Sequence, residues 1–281
     1  MKKFSRILSA LCAAALALGM LASCSSGKNP AGESGTAGTA SDLAYVTGNG
    51  KMTIGITYFA PMDYFDEDGK TLIGFDHDLA VEVCKKLGVT PVFQEITWSK
   101  KEIELNAKTI DCIWNGLTVD ADRAANMALT SNYMKNRQVV VVKQDKAAQI
   151  TSLESLSGMT GAAEDGSAGE QVIKGNASLA ANYVSAETQS SALLEVKAGT
   201  SDYCIIDSVM ADSLIKAEGS DYADLAIVEG LKLADDEFYA AAFRKGSDLA
   251  AKVSEILAEL VKDGTVEKIA AKYGLSDAIV K

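Results

Sequence analysis

Hydrophobic and polar positions along the chain predict strands that alternate with helices. A strand over 51–57 precedes a helix over 77–88, in which Leu79, Val83 and Leu87 recur at four-residue spacing. Short apolar runs and amphipathic helices of about ten residues then alternate along the rest of the chain. This order predicts an α/β fold with open, mostly parallel sheets and flanking helices.

The alternation falls into two blocks, followed by a tail of one predicted strand over 237–246 and two helices. The tail is too small to form a core alone, so it must pack on one of the blocks, and two chain segments then cross between the blocks. We predict a two-lobed, periplasmic-binding-protein-like clamp with two crossing hinge strands. Lobe 1 is 45–137 plus 238–281, and lobe 2 is 138–237.

The first residues of the chain have the features of an export signal. Basic residues precede an apolar run over 7–21, which is shorter than the roughly 20 residues that span a bilayer. The Leu-Ala-Ser-Cys sequence ending at Cys24 matches a lipobox, so we predict a signal peptide over 1–23 and lipidation (palmitate) of Cys24. An ordinary signal peptide ending near a cysteine is the alternative. Residues 24–44 are mostly small and polar, which is typical of a flexible tether.

Charge and cysteine content exclude several classes of protein. The formal net charge of -11 argues against nucleic acid as a partner, because nucleic-acid binding needs a basic surface. Cys84, Cys112 and Cys204 show no CxxC or metal-ligand spacing, and their odd number excludes a fully paired internal set. We read them as buried small hydrophobic residues. With His77 as the single histidine, we predict no metal and no cofactor.

Five short patterns occur in order along the chain. They are an aromatic-x-Pro turn leading to Gly-Phe-Asp-x-Asp-Leu-Ala, an Asp-to-Arg segment with a crossing strand, a Gly-rich entry to the second block, a Gly-x-x-Asp strand and a C-terminal helix. Together they resemble the polar amino-acid substrate-binding proteins of ABC transporters, the bacterial extracellular solute-binding protein family 3. The matching segments are 57–88, 108–142, 153–171, 198–211 and 262–274.

The resemblance implies how lobe 1 meets a free amino acid. Carboxylate and ammonium are costly to desolvate unless each meets a partner. Arg123 corresponds to the family's carboxylate clamp, since a guanidinium can donate two parallel charge-assisted hydrogen bonds. The hydroxyl of Thr118 and the carbonyl of Gly116 would add contacts from the same strand end. By its position alone, Arg123 is also compatible with a solvated helix residue that pairs with Asp120 or Asp122.

The resemblance places the remaining contacts with the ligand's ammonium and carboxylate in lobe 2. Asp207 would take the ammonium, and the Ser167 hydroxyl with the N–H groups of Ser167 and Ala168 would close on the carboxylate. Asp207 is also a candidate N-cap for the helix that follows it.

The ligand side chain is expected to meet a mixed pocket. Phe59 and Trp98 would line it, Asn115 would reach a polar group, and Tyr58 and Glu164 are further candidates. Phe59 reads equally well as core filler.

Three departures from the family pattern bear on this site. Ile56 stands where members that take cationic amino acids carry an acid, which favours a neutral polar or apolar-stemmed ligand unless Glu164 or Asp165 substitutes. Asp120 stands where Thr is common, next to the helix that carries Arg123. The turn over 131–133 lacks the usual proline.

We therefore expect a binding protein rather than an enzyme. It would be a monomer, held by lipid on the extracellular face of the cytoplasmic membrane, that delivers an amino acid to an ABC transporter permease. One alternative is an enzyme of the same fold, such as a cyclohexadienyl dehydratase, with Glu164 or Asp165 as its acid. The other is a ligand-presenting sensor component.

Overall fold

A computed structural model describes residues 41–233 and 235–281. The predicted signal peptide and the lipidation site Cys24 lie outside the described residues. In these ranges the chain forms ten α-helices: α1 Asp42–Asn49, α2 Phe75–Leu87, α3 Lys101–Asn106, α4 Ala121–Asn126, α5 Ala168–Gly175, α6 Ala177–Ala180, α7 Gln189–Ala198, α8 Ser208–Ile215, α9 Leu249–Lys262 and α10 Thr265–Lys272.

The strands in the described part of the chain are short. They are β1 Lys51–Ile56, β2 Tyr64–Phe65, β3 Leu72–Ile73, β4 Thr90–Glu95, β5 Cys112–Ile113, β6 Met127–Leu129, β7 Met134–Asn136, β8 Gln138–Lys143, β9 Gly161–Glu164, β10 Tyr183–Ala186, β11 Tyr203–Asp207, β12 Leu225–Ile227, β13 Glu237–Tyr239 and β14 Ala242–Arg244. Single 3-10 turns cover Trp98–Lys100, Ala147–Gln149 and Leu153–Leu156.

Two five-stranded sheets have the same plan. Lobe 1 carries the order β4-β1-β5-β14-β6, and lobe 2 carries β10-β9-β11-β8-β12. In each sheet four strands run in one direction and one is reversed, namely β14 in lobe 1 and β8 in lobe 2. The reversed strand is in each case the first one after the chain has crossed between lobes. The predicted two-lobed α/β fold is confirmed.

The two crossing segments pair with each other. β7 and β13 form an antiparallel ribbon in which Asn136 lies opposite Glu237 and Met134 opposite Tyr239. The prediction of one strand over 237–246 was wrong, because residues 240–241 separate β13 in the ribbon from β14 in the sheet of lobe 1. A continuous apolar run cannot reveal that its two halves pair with different partners.

The helix α1 corrects the predicted end of the tether. Residues 42–44 were assigned to the tether, yet they form the first turn of α1, which Ser41 caps by accepting a hydrogen bond from the Ala44 N–H. The Asp42 carboxylate accepts from Arg244 Nε at 3.0 Å, and both groups are buried. Small polar residues suggested a tether, but a cap and a distant ion pair order this turn.

The C-terminal helix α9 packs on lobe 1 through one face. Leu249, Val253, Ile256 and Leu260 are buried at spacings of three or four residues, as an amphipathic helix on a core requires. None of the helices in residues 41–233 and 235–281 is both long and apolar enough to cross a bilayer.

Candidate functional site

A narrow cleft lies between the lobes. Every residue predicted for the ligand site lies on its wall, including the two further candidates. The predicted residues that line the cleft are Tyr58, Phe59, Trp98, Asn115, Gly116, Thr118, Arg123, Glu164, Ser167, Ala168 and Asp207. The fold thus brings together residues that are up to about 150 positions apart in the chain.

Arg123 is buried in the cleft wall and does not extend into solvent. Its side chain is 4% exposed, and three of its five N–H donors are used. Nε pairs with the Asp120 carboxylate at 3.2 Å, one terminal nitrogen donates to the Thr118 carbonyl at 2.6 Å, and the other donates to the Gly166 carbonyl at 3.2 Å. The predicted pairing with Asp120 is therefore present, but it holds a buried guanidinium in place. Two N–H donors remain for an anion.

The helix that carries Arg123 begins at the cleft. The side chain of Asp120 caps α4 by accepting from the Arg123 backbone N–H at 2.7 Å. Asp120, where Thr is common in the family, therefore has two roles. Its carboxylate caps α4, and it also pairs with the Arg123 guanidinium and orients it.

The floor of the cleft in lobe 1 depends on a glycine. Gly116 has φ +56°, and a Cβ there would lie 2.5 Å from Cε1 of Phe59. The ring of Phe59, 4% exposed, can therefore lie against the backbone only because no side chain intervenes. Phe59 is core filler on one side and cleft wall on the other.

The Asn115 side chain is fully engaged within lobe 1. Its oxygen accepts from the Thr57 N–H and hydroxyl, and its nitrogen donates to the Thr57 carbonyl and to Asp63 Oδ2. These four bonds use the whole capacity of the amide. In this arrangement the Asn115 side chain holds the wall of the cleft, and its contact with a polar ligand group remains a prediction.

A buried lysine joins the two lobes beside Trp98. Lys101 Nζ lies 4.7 Å from the Trp98 ring centre and donates to the Trp98 carbonyl at 3.2 Å and to the Gly166 carbonyl at 2.9 Å. Burial, followed by the positive charge of Arg123, lowers the pKa of Lys101 to about 8. One carbonyl of lobe 2, at Gly166, thus accepts from two cationic side chains of lobe 1.

Lobe 2 presents a helix N-terminus to the cleft. The Ser167 side chain caps α5 by accepting from the Glu170 N–H at 3.0 Å, which leaves its hydroxyl hydrogen available. The Ser167 N–H donates to the Glu164 carbonyl at 3.1 Å, and its expected use for a ligand carboxylate remains a prediction. Ala168, the first residue of α5, lines the cleft, and its N–H belongs to the first turn, where backbone N–H groups have no intrahelical partner.

Asp207 lies at the carboxyl end of β11 and is buried. Asn136 and Gln138 donate to its Oδ1, and Gln189 donates to its Oδ2. Burial raises the pKa of Asp207, and these hydrogen bonds oppose the shift. Asp207 occupies the N-cap position of α8, but its side chain makes no capping hydrogen bond there. One acceptor position on Oδ2 is left for a ligand.

Glu164 is the least satisfied polar group of the cleft. It is 3% exposed, and its Oε1 accepts no hydrogen bond from any group in residues 41–233 and 235–281. Burial, followed by the nearby charge of Asp207, raises the pKa of Glu164 to about 8, whereas Lys101 and Arg123 act in the opposite direction.

Four cleft residues were not predicted from the sequence: Thr57, Thr188, Gln189 and Met210. Gln189 orients Asp207 through its side chain and also accepts from the Asp207 N–H at 2.9 Å. A helix periodicity signal was available for Met210 alone, because it follows Asp207 by three residues and so shares its face. The others depend on how the lobes meet.

The family model of the bacterial extracellular solute-binding proteins, family 3, matches residues 52–276. The chain belongs to this family. It is 28% identical over 232 residues to the L-cystine-binding protein TcyA of Bacillus subtilis (strain 168), a match covering 82% of this chain and 83% of that protein.

Two solved structures extend the comparison within the family. The substrate-binding protein of an ABC uptake transporter from Streptococcus pneumoniae, with bound histidine, is 33% identical, covers 86% of this chain and 99% of that one, and has a TM-score of 0.77. The ancestral amino-acid-binding protein AncCDT-1, described as a precursor of cyclohexadienyl dehydratase, is 28% identical, covers 83% and 99%, and has a TM-score of 0.75.

Tyr133 anchors the turn that lacks the family's proline. Tyr133, which ends the turn over 131–133, is buried, and its hydroxyl donates to Asp76 Oδ2 at 2.8 Å. The same oxygen accepts from the Gly116 N–H at 2.7 Å. The turn therefore remains tied to the floor of the cleft without the proline.

Proposed function

We propose that this solute-binding protein holds a free α-amino acid between its lobes and delivers it to an ABC-type importer. The observation that carries the proposal is the pair of Arg123 and Asp207 on one cleft. Arg123 comes from lobe 1 with two free N–H donors, and Asp207 comes from lobe 2 with an acceptor position. An α-amino acid is a small zwitterion that satisfies both.

The ligand carboxylate would lie between Arg123 and the start of α5. The guanidinium would donate two hydrogen bonds, and the Ser167 hydroxyl and Ala168 N–H would donate from the other lobe. This arrangement adds the helix N-terminus to the positive charge of Arg123.

The ammonium would point the other way, toward Asp207. The Gly116 carbonyl and the Thr118 hydroxyl, which already donates to Glu237 Oε2 at 3.3 Å, would accept its remaining hydrogens. A ligand bound in this way contacts both lobes, so it stabilises the closed state over the open state.

Isothermal titration of the purified protein with the twenty amino acids and cystine tests this function. We expect at least one to bind with a Kd below roughly 100 μM, since a fully paired zwitterion in a closed cleft should exceed that affinity. If none of them binds at that level, the proposal is wrong.

A dehydratase activity is the second candidate, and it rests on Glu164. Because burial raises its pKa to about 8, this carboxyl holds a proton near neutral pH, as a general acid must. The similarity to AncCDT-1 keeps this reading open. A spectrophotometric assay with prephenate and arogenate distinguishes the two functions. Product formation that Glu164→Gln abolishes would establish a dehydratase. If no product forms, amino-acid binding remains as the proposed function.

We further propose that lipid on Cys24 holds the protein on the outer face of the cytoplasmic membrane. The lipobox ending at Cys24 supports this anchor. In cells fed an alkyne-tagged palmitate, the wild-type chain should incorporate label and remain with the membrane. Cys24→Ala should lose the label and appear in the medium, whereas Cys84→Ala should behave like the wild type.

The protein that this chain contacts on the cell surface distinguishes a transporter component from a sensor component. Crosslinking on intact cells, followed by pull-down, should recover a permease with ABC-transporter subunits. Recovery of a receptor without those subunits would instead support ligand presentation.

A further inference from the structure

The cleft holds one strong hydrogen-bond acceptor, Glu164, that the α-ammonium of the bound amino acid would not use. Glu164 lies at the end of β9, and its Oε1 takes no hydrogen bond from the part of the chain that the structure describes. A buried polar atom left this way costs about as much as a lost hydrogen bond, so a donor from the ligand would be stabilising.

The charged groups that face Glu164 come from three elements and from the turn that follows β9. Asp207 of β11 and the adjacent Asp165 disfavour its ionised form, and Lys101 of α3 and Arg123 of α4 favour it. Lys101 donates to the Trp98 and Gly166 carbonyls, and Arg123 donates to the Thr118 and Gly166 carbonyls. Neither cation makes an ion pair with Glu164 within the described ranges. The carboxyl therefore lies near positive charge that is engaged elsewhere.

A groove beside the cleft carries further negative charge. It shares Thr57, Tyr58 and Thr188 with the cleft and is lined by three glutamates, Glu95, Glu104 and Glu187. Glu95 and Glu104 belong to lobe 1, and Glu187 belongs to lobe 2. Carboxylates on both sides of a groove attract cations and repel anions.

Ile56 does not oppose a cationic ligand. Its side chain is 2% exposed, belongs to the hydrophobic core and is absent from the wall of the cleft as the described residues form it. An apolar residue there has no bearing on the ligand, so the expectation of a neutral side chain loses its basis.

We propose that the ligand is an amino acid whose side chain ends in a positively charged hydrogen-bond donor, and that Glu164 is the residue that selects it. This inference rests on the proposed function of the same cleft. The apolar stem of the side chain would pass between the rings of Phe59 and Trp98, and its charged end would meet the open Oε1 of Glu164.

The proposal predicts proton release. In the empty cleft Glu164 has a pKa of about 8 and is largely protonated at pH 7. A cation beside it stabilises the carboxylate, so a cationic side chain should displace that proton on binding, and a neutral side chain should not. Affinity for the cationic ligand should accordingly rise with pH up to about 8.

Calorimetry with matched ligands tests the inference. The pairs are lysine with norleucine and arginine with citrulline, which share shape and differ in charge. We expect the cationic member of at least one pair to bind the wild type roughly tenfold or more tightly. Repeating the titration in buffers of different ionisation enthalpy should reveal proton release for that ligand alone.

Glu164→Gln should remove the preference. The amide keeps the shape, and we expect it to weaken the cationic ligand by roughly ten- to a hundredfold while changing its neutral partner by less than about threefold. Asp165→Asn, which removes the adjacent charge, is the control and should retain the preference. Unfolding temperatures of all variants show whether they are folded.

The outcomes separate the two proposals. If no amino acid binds the wild type, the proposed function fails. If amino acids bind but norleucine equals lysine and citrulline equals arginine, without proton release, the selection by Glu164 is wrong. Equal weakening of all ligands by Glu164→Gln would assign Glu164 to the α-ammonium and would also overturn it.

Discussion

The two lobes build opposite halves of the same cleft. Lobe 1 contributes aromatic rings and cationic side chains: Phe59, Trp98, Lys101 and Arg123. Lobe 2 contributes carboxyl groups and a helix N-terminus, at Glu164, Asp207 and the start of α5. The sheets behind them have the same strand plan, so the difference lies in the residues at the strand ends and in the helices and turns that follow them.

Under the proposed binding mode, the charged partners of the zwitterion come from different lobes. Arg123 of lobe 1 would meet the carboxylate, and Asp207 of lobe 2 would meet the ammonium. In the closed cleft, Lys101 and Arg123 of lobe 1 already share the Gly166 carbonyl of lobe 2. Ligand binding and lobe closure are therefore expected to be coupled.

The largest effect is expected at Arg123. Arg123→Ala should weaken amino-acid binding by on the order of a thousandfold, because it removes a charge pair in a desolvated site. Arg123→Lys keeps the charge but cannot donate a parallel pair of hydrogen bonds, so its loss should be intermediate. Calorimetry measures both. A loss below about tenfold for the alanine variant would contradict the assignment of the carboxylate to lobe 1.

A smaller effect is expected at the contact between the lobes. A Cβ on Gly166 would lie 2.9 Å from the Cα of Ser99 in the opposite lobe, and φ is +75°. Gly166→Ala should oppose closure and weaken binding by roughly ten- to a hundredfold.

Gly158→Ala is the matched control for this prediction. Gly158 has φ +80° and belongs to the same lobe, but a Cβ there meets no atom of the described residues within 4 Å. It should therefore show the backbone strain without the loss of affinity. Small-angle scattering with and without ligand would show whether Gly166→Ala stays open. Equal affinities for the two variants would mean that Gly166 has no role in closure.

A pair of buried carboxyls makes lobe 1 sensitive to pH. Burial raises the pKa of Asp76 to about 7, and burial together with the Asp76 charge raises the pKa of Asp63 well above its usual range. Between about pH 4 and 7 the folded state thus binds more protons than the unfolded state, so the free energy of unfolding should fall as pH rises through this window.

In Asp63→Asn, the fall in the free energy of unfolding between pH 5 and pH 8 should be smaller than in the wild type by about 1–3 kcal/mol. Urea unfolding measures it. The amide oxygen of this variant can still accept the hydrogen bond from Asn115 Nδ2, which is 2.8 Å from Asp63 Oδ2. Asp68→Asn, at an exposed position of the neighbouring hairpin, should leave the slope above pH 5 unchanged. An unchanged slope for Asp63→Asn would show that the pair does not hold an extra proton.

The smallest effect is expected for thiol labelling. The rate at which the buried thiols react shows how readily each lobe opens. Cys84 and Cys112 of lobe 1 and Cys204 of lobe 2 are buried and free. Burial raises the pKa of each thiol, to about 12 for Cys84. We expect almost no reaction with a thiol reagent in the native state at pH 8 and complete reaction in denaturant. Rapid native labelling of Cys204 alone would show that lobe 2 opens more readily.

The repeating strand–helix pattern was sufficient for the two-lobed fold. It was insufficient for the segment over 237–246, because pairing partners and not hydrophobicity divide β13 from β14. Likewise the Ser41 hydroxyl donates to Asp248 and the Asp42 carboxylate pairs with Arg244, contacts across some 200 residues that no local pattern reveals.

Within the site, the sequence by itself determined most of the residues that reach the cleft, because strand ends and helix starts are local features, but not Thr57, Thr188 and Gln189. Family motifs at those positions identified Arg123, Ser167 and Asp207. The tertiary structure alone decided which of their atoms remain available. Asn115 and the Ser167 N–H are already hydrogen-bonded, whereas Glu164 keeps an open oxygen in the described cleft. Hydrogen-bond capacity is used up by neighbours in space, and those neighbours are set by how the two lobes meet.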